Sequence, residues 1–75
     1  MPATMMKLKA ILAKNMRKYR EELHLTQEQA AEMTGMSVNY WARLELPEQI
    51  ELPTLRTFDR IAKTLHVKYS QLVEE

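Results

Sequence analysis

Apolar residues recur along most of this chain at intervals of three and four, which gathers them on one face of a helix. Leu8, Ile11, Leu12, Met16, Tyr19 and Leu23 form the first such stripe. Lys9, Lys14, Lys18 and Glu22 fall off it and are expected to face solvent. Thr4 is the expected N-cap, because Pro2 cannot lie inside the helix. The helix is expected to end near Leu23, with His24 in the left-handed position that closes it. A second segment opens with Thr26, three residues before Gln29, the pattern of a capping box, and Leu25 stands at the staple position against Ala30. Gly35, the only glycine, stops that helix after about two turns. Ser37 caps a third helix, Val38 to about Leu46, with Tyr40, Trp41 and Leu44 on its inner side. Pro47 ends it by barring the α conformation from the residue before it. After an acidic loop, 47–53, Thr54 caps a fourth helix whose stripe is Leu55, Phe58, Ile61, Ala62 and Leu65, with His66 closing it. A last short turn begins near Ser70, where Tyr69, Leu72 and Val73 are placed to cover the core.

The expected fold is therefore all-α, a compact bundle of four helices plus a short C-terminal helical turn. One glycine and three prolines leave little material for the turns of a many-stranded sheet. A chain of 75 residues is expected to form a single domain, 1–75. It would bury only roughly 60% of the surface its unfolded form exposes, so the core must be compact or shared with a partner. Met1, Met5 and Met6 either form a mobile start, 1–6, or extend the first apolar stripe. The longest apolar run, Ala10–Ala13, is far below the ~18 residues of a membrane helix, and no signal-peptide pattern opens the chain. A small, soluble, cytoplasmic protein without a membrane partner is expected. The absence of cysteine removes disulfides, thiolate metal sites and thiol nucleophiles.

The net charge of +1 hides a segregation. Residues 1–20 carry six bases and no acid, residues 21–52 carry seven acids against Arg43 alone, and residues 53–75 carry four bases and three acids. Basic ends of this kind can flank an anionic partner, although on charge alone solvated helix faces are the simpler account. His24 and His66 each sit near a helix C-terminus, where a capping role suffices. No nucleophile elbow, Gly-rich phosphate loop, His-Glu-x-x-His or paired acidic motif occurs, so no catalysis, cofactor or metal is expected.

Two short helices joined at a glycine are the pattern of a helix-turn-helix. The stretch from Leu25 to Glu45 resembles the Cro/XRE-type, lambda-repressor-like helix-turn-helix family, in register without a gap at Leu25, Thr26, Gln27, Ala31, Gly35, Ser37, Leu44 and Glu45. The basic first helix and the segment from Pro53 to Leu72 resemble the family's flanking helices. Physics gives these types their places. Ala31 lets two helices cross closely, Gly35 supplies a positive φ, and Met36, Trp41 and Leu44 lock the third helix inward. Glu45 is expected to pair with Arg17 or Arg20.

The resemblance implies a DNA-binding transcriptional regulator, bacterial or phage-encoded, with the third helix in the major groove. Carried over by position, Val38, Asn39 and Arg43 would face the bases, with Tyr40 at the edge. Arg43 can fork onto guanine, Asn39 can pair with adenine, and Val38 can touch a thymine methyl. Gln27, Ser37, Arg17 and Arg20 would contact phosphates. A homodimer would bind a pseudo-palindrome of double-stranded DNA with half-sites ~34 Å apart, as a repressor or autoregulator.

The sequence also departs from the family pattern. Ala30 and Thr34 replace larger apolar residues, a loss of volume that Met33, Met36 or Trp41 would refill. Leu46 stands in place of a basic residue, and Glu48 and Glu51 would repel a nearby phosphate. These acids keep a second function open: a helix-turn-helix module for dimerisation or antitoxin-like partner binding, with weak or no DNA affinity. Leu46, Ile50 and Leu52 either form a dimer contact or fold back onto the fourth helix.

Overall fold

The computed structural model describes residues 3–75, so the expectations for Met1 and Pro2 lie outside the described residues. Five helices follow one another: α1 (Ala3–Glu22), α2 (Gln27–Thr34), α3 (Val38–Leu44), α4 (Leu55–Leu65) and α5 (Tyr69–Leu72). Among the described residues there is no strand, and α5 is the expected terminal turn. No described helix is long and apolar enough to cross a membrane.

The helix ends are set by local chemistry. Thr26 Oγ1 accepts the Gln29 N–H at 3.0 Å while Gln29 Oε1 accepts the Thr26 N–H at 2.9 Å, which completes the capping box. Ser37 Oγ accepts from Tyr40 N, and Thr54 Oγ1 accepts from Thr57 N. Gly35 takes φ 79°, and His24 and His66 both take φ 57°, the left-handed closures expected of them. Thr4 is not the N-cap, because the backbone is already helical at Ala3. Helix α3 stops at Leu44, earlier than expected. Its last turn tightens as Leu46 N donates to Arg43 O, three residues back, ahead of Pro47.

The core gathers Leu12, Met16, Ala30, Ala31, Trp41, Leu44, Ile61, Ala62, Leu65 and Leu72. Trp41 is wholly buried, in the same core cluster as the small Ala30. Met36 packs against this core, whereas Met33 is exposed and fills nothing. Thr34 is buried without being a defect: its hydroxyl donates to Ala30 O at 2.6 Å and pairs with the Thr64 hydroxyl at 3.1 Å, tying α2 to α4. Asn15, also buried, donates from Nδ2 to the carbonyls of Leu72 and Glu74 and fastens the C-terminal segment to α1.

Several apolar expectations need correction. Leu23 is exposed just past the end of α1, and Leu55, in the first turn of α4, is 88% exposed. Tyr69 and Val73 are exposed as well, so Leu72 alone of that group is buried in the core. In the 47–53 loop Leu52 folds back against the core, while Ile50, like Leu46 before the loop, remains exposed.

The largest correction concerns Lys9, which is 1% exposed rather than solvent-facing. Its Nζ donates to three backbone carbonyls, Arg43 O at 3.1 Å, Leu46 O at 2.7 Å and Gln49 O at 2.8 Å. One ammonium thus caps the C-terminal end of α3 and pins the loop that follows.

Candidate nucleic-acid interface

Burial of Trp41 and Leu44 fixes the rotation of α3. With those two residues inward, Val38, Asn39 and Arg43 fall on the outer side and are exposed, and Tyr40 is half-buried between them. Ser37 is exposed at the start of the same helix. A shallow groove lined by Arg17, Arg20, Thr26, Gln27, Glu28 and Val38 brings the last third of α1 beside the first residues of α2 and α3.

Glu45 is the hub behind this surface. Its carboxylate accepts from Arg20 Nε at 2.6 Å, Arg20 Nη2 at 3.0 Å, Gln27 Nε2 at 3.0 Å and the Trp41 indole N–H. Residues of α1, α2 and α3 therefore meet on one carboxylate. Burial alone would raise the Glu45 pKa, but the bonds from Arg20, Gln27 and Trp41 outweigh it and hold the group below the ordinary carboxylate range. Glu45 pairs with Arg20, one of its two expected partners, and Arg17 stays exposed, its one polar contact among the described residues a long 3.5 Å approach to Glu21.

Arg20, expected among the phosphate contacts, is buried rather than exposed. Its guanidinium is turned inward, with Nη1 donating to Leu25 O at 2.8 Å and the rest held by Glu45. Gln27 is half-buried, and one amide N–H is spent on Glu45, which fixes its orientation at the α2 N-terminus. The Ser37 hydroxyl accepts from Tyr40 N and keeps its own proton to donate.

Arg43 does not extend freely into solvent. Its Nε donates to Glu51 Oε1 at 2.6 Å, and its guanidinium carbon lies 5.6 Å from the centre of the Tyr40 ring. The acidic loop therefore bends toward α3. Burial pushes the Lys9 ammonium below its ordinary value, and Glu51 and Glu48 act against that shift. The acids that looked hostile to DNA thus offset a buried cation and hold an exposed one.

Lys9, Asn15 and Glu51 were not legible as structural or site residues in the sequence. Lys9, Ala13, Met16 and Arg20 lie at helical spacing and are all buried, so a charged residue stands at each end of one buried row of α1.

Comparison with known proteins agrees with this fold. The profile of the helix-turn-helix domain family matches residues 13–74. The control protein C.SmaI of Serratia marcescens is 38% identical over 68 residues, spanning 91% of this chain and 79% of that protein. The crystal structure of a hypothetical transcription factor, NHTF, from Neisseria superposes with a TM-score of 0.82 at 29% identity, over 92% of this chain and 75% of that one.

Proposed function

The chain belongs to the helix-turn-helix domain family, in its Cro/XRE-type branch of DNA-binding transcription regulators, and from that premise we propose that it is a sequence-specific regulator that binds a pseudo-palindromic operator as a homodimer in the cytoplasm of a bacterial cell. The observation that carries this reading is the outward row of α3. Val38, Asn39 and Arg43 are exposed together on a helix that Trp41, Leu44 and the Glu45 hub hold in one rotation. Rigid display of an apolar, an amide and a guanidinium group is what reading base edges requires. Arg17, Gln27 and Ser37, around the N-termini of α2 and α3, are the proposed phosphate contacts.

The homodimer is supported by an apolar groove between α1, the loop and α4, lined by Leu8, Leu12, Leu52, Pro53, Leu55, Phe58 and Val73. The relative named as a control protein supports a regulatory role.

Alanine substitutions separate the roles. Arg43→Ala and Asn39→Ala should each cost ~1–3 kcal/mol and relax a different base position, whereas Arg17→Ala should weaken every sequence alike and lower the salt slope by about 1. A uniform loss from Arg43→Ala would remove it from base readout. Sedimentation of the free protein tests the dimer. A folded protein that binds no duplex would instead be the interaction module that the exposed apolar groove also suits.

A further inference from the structure

We propose that Glu51 is a positioning residue for base readout, holding Arg43 so that its terminal nitrogens meet a base pair already ordered. The inference rests on the reading of Arg43 as a base contact and adds to it the residue through which that contact is made selective. Guanidinium offers five N–H donors. Glu51 takes the one on Nε, at 2.6 Å, and among the described residues no other hydrogen bond to the Arg43 side chain is made. The two Nη atoms therefore remain available for the O6 and N7 of a guanine. The guanidinium carbon also lies over the Tyr40 ring, 5.6 Å from its centre, a second contact that limits its freedom.

Glu51 can hold Arg43 only if its own loop is held. Lys9 does this from inside, with one ammonium bonded to the carbonyls of Arg43, Leu46 and Gln49. The carboxylate and the guanidinium it orients are thus tied to the same buried cation. The pair itself is exposed, at 45% and 43% of the two side chains, so water and salt screen it and it adds little to folding. What it changes is the freedom of a long side chain, most of which must otherwise be lost on binding. Being an acid at the edge of the surface, Glu51 also weakens attraction to phosphate on every sequence alike, an effect that leaves the preference between sequences unchanged.

The test measures affinities of the wild type, R43A, E51A, E51Q and the double variant R43A/E51A. The duplexes are the site selected by the wild type and every single-base change of it, at two salt concentrations. Thermal unfolding alongside establishes that each variant is folded. E51A should reduce the preference at the Arg43 position about tenfold, a large part of what one forked contact discriminates, and leave the other positions unchanged. E51Q keeps an oxygen that accepts from Nε and should restore most of that preference without the charge. The double variant should be no less selective than R43A alone. Equal strengthening of all sequences by E51A, with every preference intact, would reduce Glu51 to a repulsive charge and overturn the proposal. If R43A itself alters no preference, Arg43 is not a base contact and the underlying reading fails. If R43A erases one preference while E51A spares it, only the role of Glu51 fails.

Discussion

Two arginine–glutamate pairs in this small protein have the same length and opposite meaning. Arg20–Glu45 and Arg43–Glu51 each bring Nε within 2.6 Å of a carboxylate oxygen. The first pair is 10% and 3% exposed at its side chains, and the second is 45% and 43% exposed. In the buried pair both ions have lost water, so each depends on the other and on the Gln27, Trp41 and Leu25 groups that complete its bonding. In the exposed pair water remains available to both, and either partner can be exchanged without stranding a charge. A contact distance therefore does not say whether a salt bridge is scaffold or working part. Burial and the number of further bonds say it.

The largest expected difference between the two pairs is in stability. Glu45→Ala should lose ~3–5 kcal/mol in urea unfolding, because the Arg20 charge is left buried and unpaired. Replacing Arg20 and Glu45 together by leucine should recover much of that loss, which would locate the cost in the orphaned ion rather than in the missing bond. Lys9→Met should cost about 2 kcal/mol by removing the ammonium from the Arg43, Leu46 and Gln49 carbonyls, of which the first two keep a backbone N–H. The same change should loosen the loop, so amide exchange should quicken around Gln49 while the α1–α4 core stays protected.

Acid should act on the buried pair through Glu45. Its folded pKa lies below the ordinary 4.5, so its stabilisation is complete well above that value and is lost as pH falls through the folded pKa. Thermal unfolding followed downward from neutral pH should show a fall that is smaller in Glu45→Gln, which has no carboxylate to protonate. An equal fall in both proteins would assign the acid sensitivity to other carboxylates. The smallest effect belongs to the exposed pair: Glu51→Gln should change stability by no more than about 0.5 kcal/mol.

The two pairs also mark how far the sequence could be read. Thr26 with Gln29, Ser37 and Thr54 open helices and Gly35, His24 and His66 close them as expected, because a cap is decided within a few residues of chain. The outer row of α3 was equally legible, since placing Trp41 and Leu44 inward determines where Val38, Asn39 and Arg43 point. Burial of charge was not. Lys9 finds its acceptors 34, 37 and 40 residues away, and Asn15 finds its own 57 and 59 residues away, distances over which periodicity carries no information. The choice between Arg17 and Arg20 as the partner of Glu45 required the rotation of α1, which its apolar letters alone did not specify. The acids of the loop were read as a repulsive surface because Lys9 and Arg43, the cations they serve, are near them only in the folded chain.

Selection from a randomised double-stranded DNA pool at two salt concentrations tests the central claim most directly. Sequence-specific readout by a dimer predicts enrichment of one two-fold-symmetric site, with half-sites about one helical turn apart and an affinity that falls steeply with salt. Retention of no sequence by a sample shown to be folded would contradict it, and would turn the exposed surfaces of α3 and the loop from DNA to a protein partner.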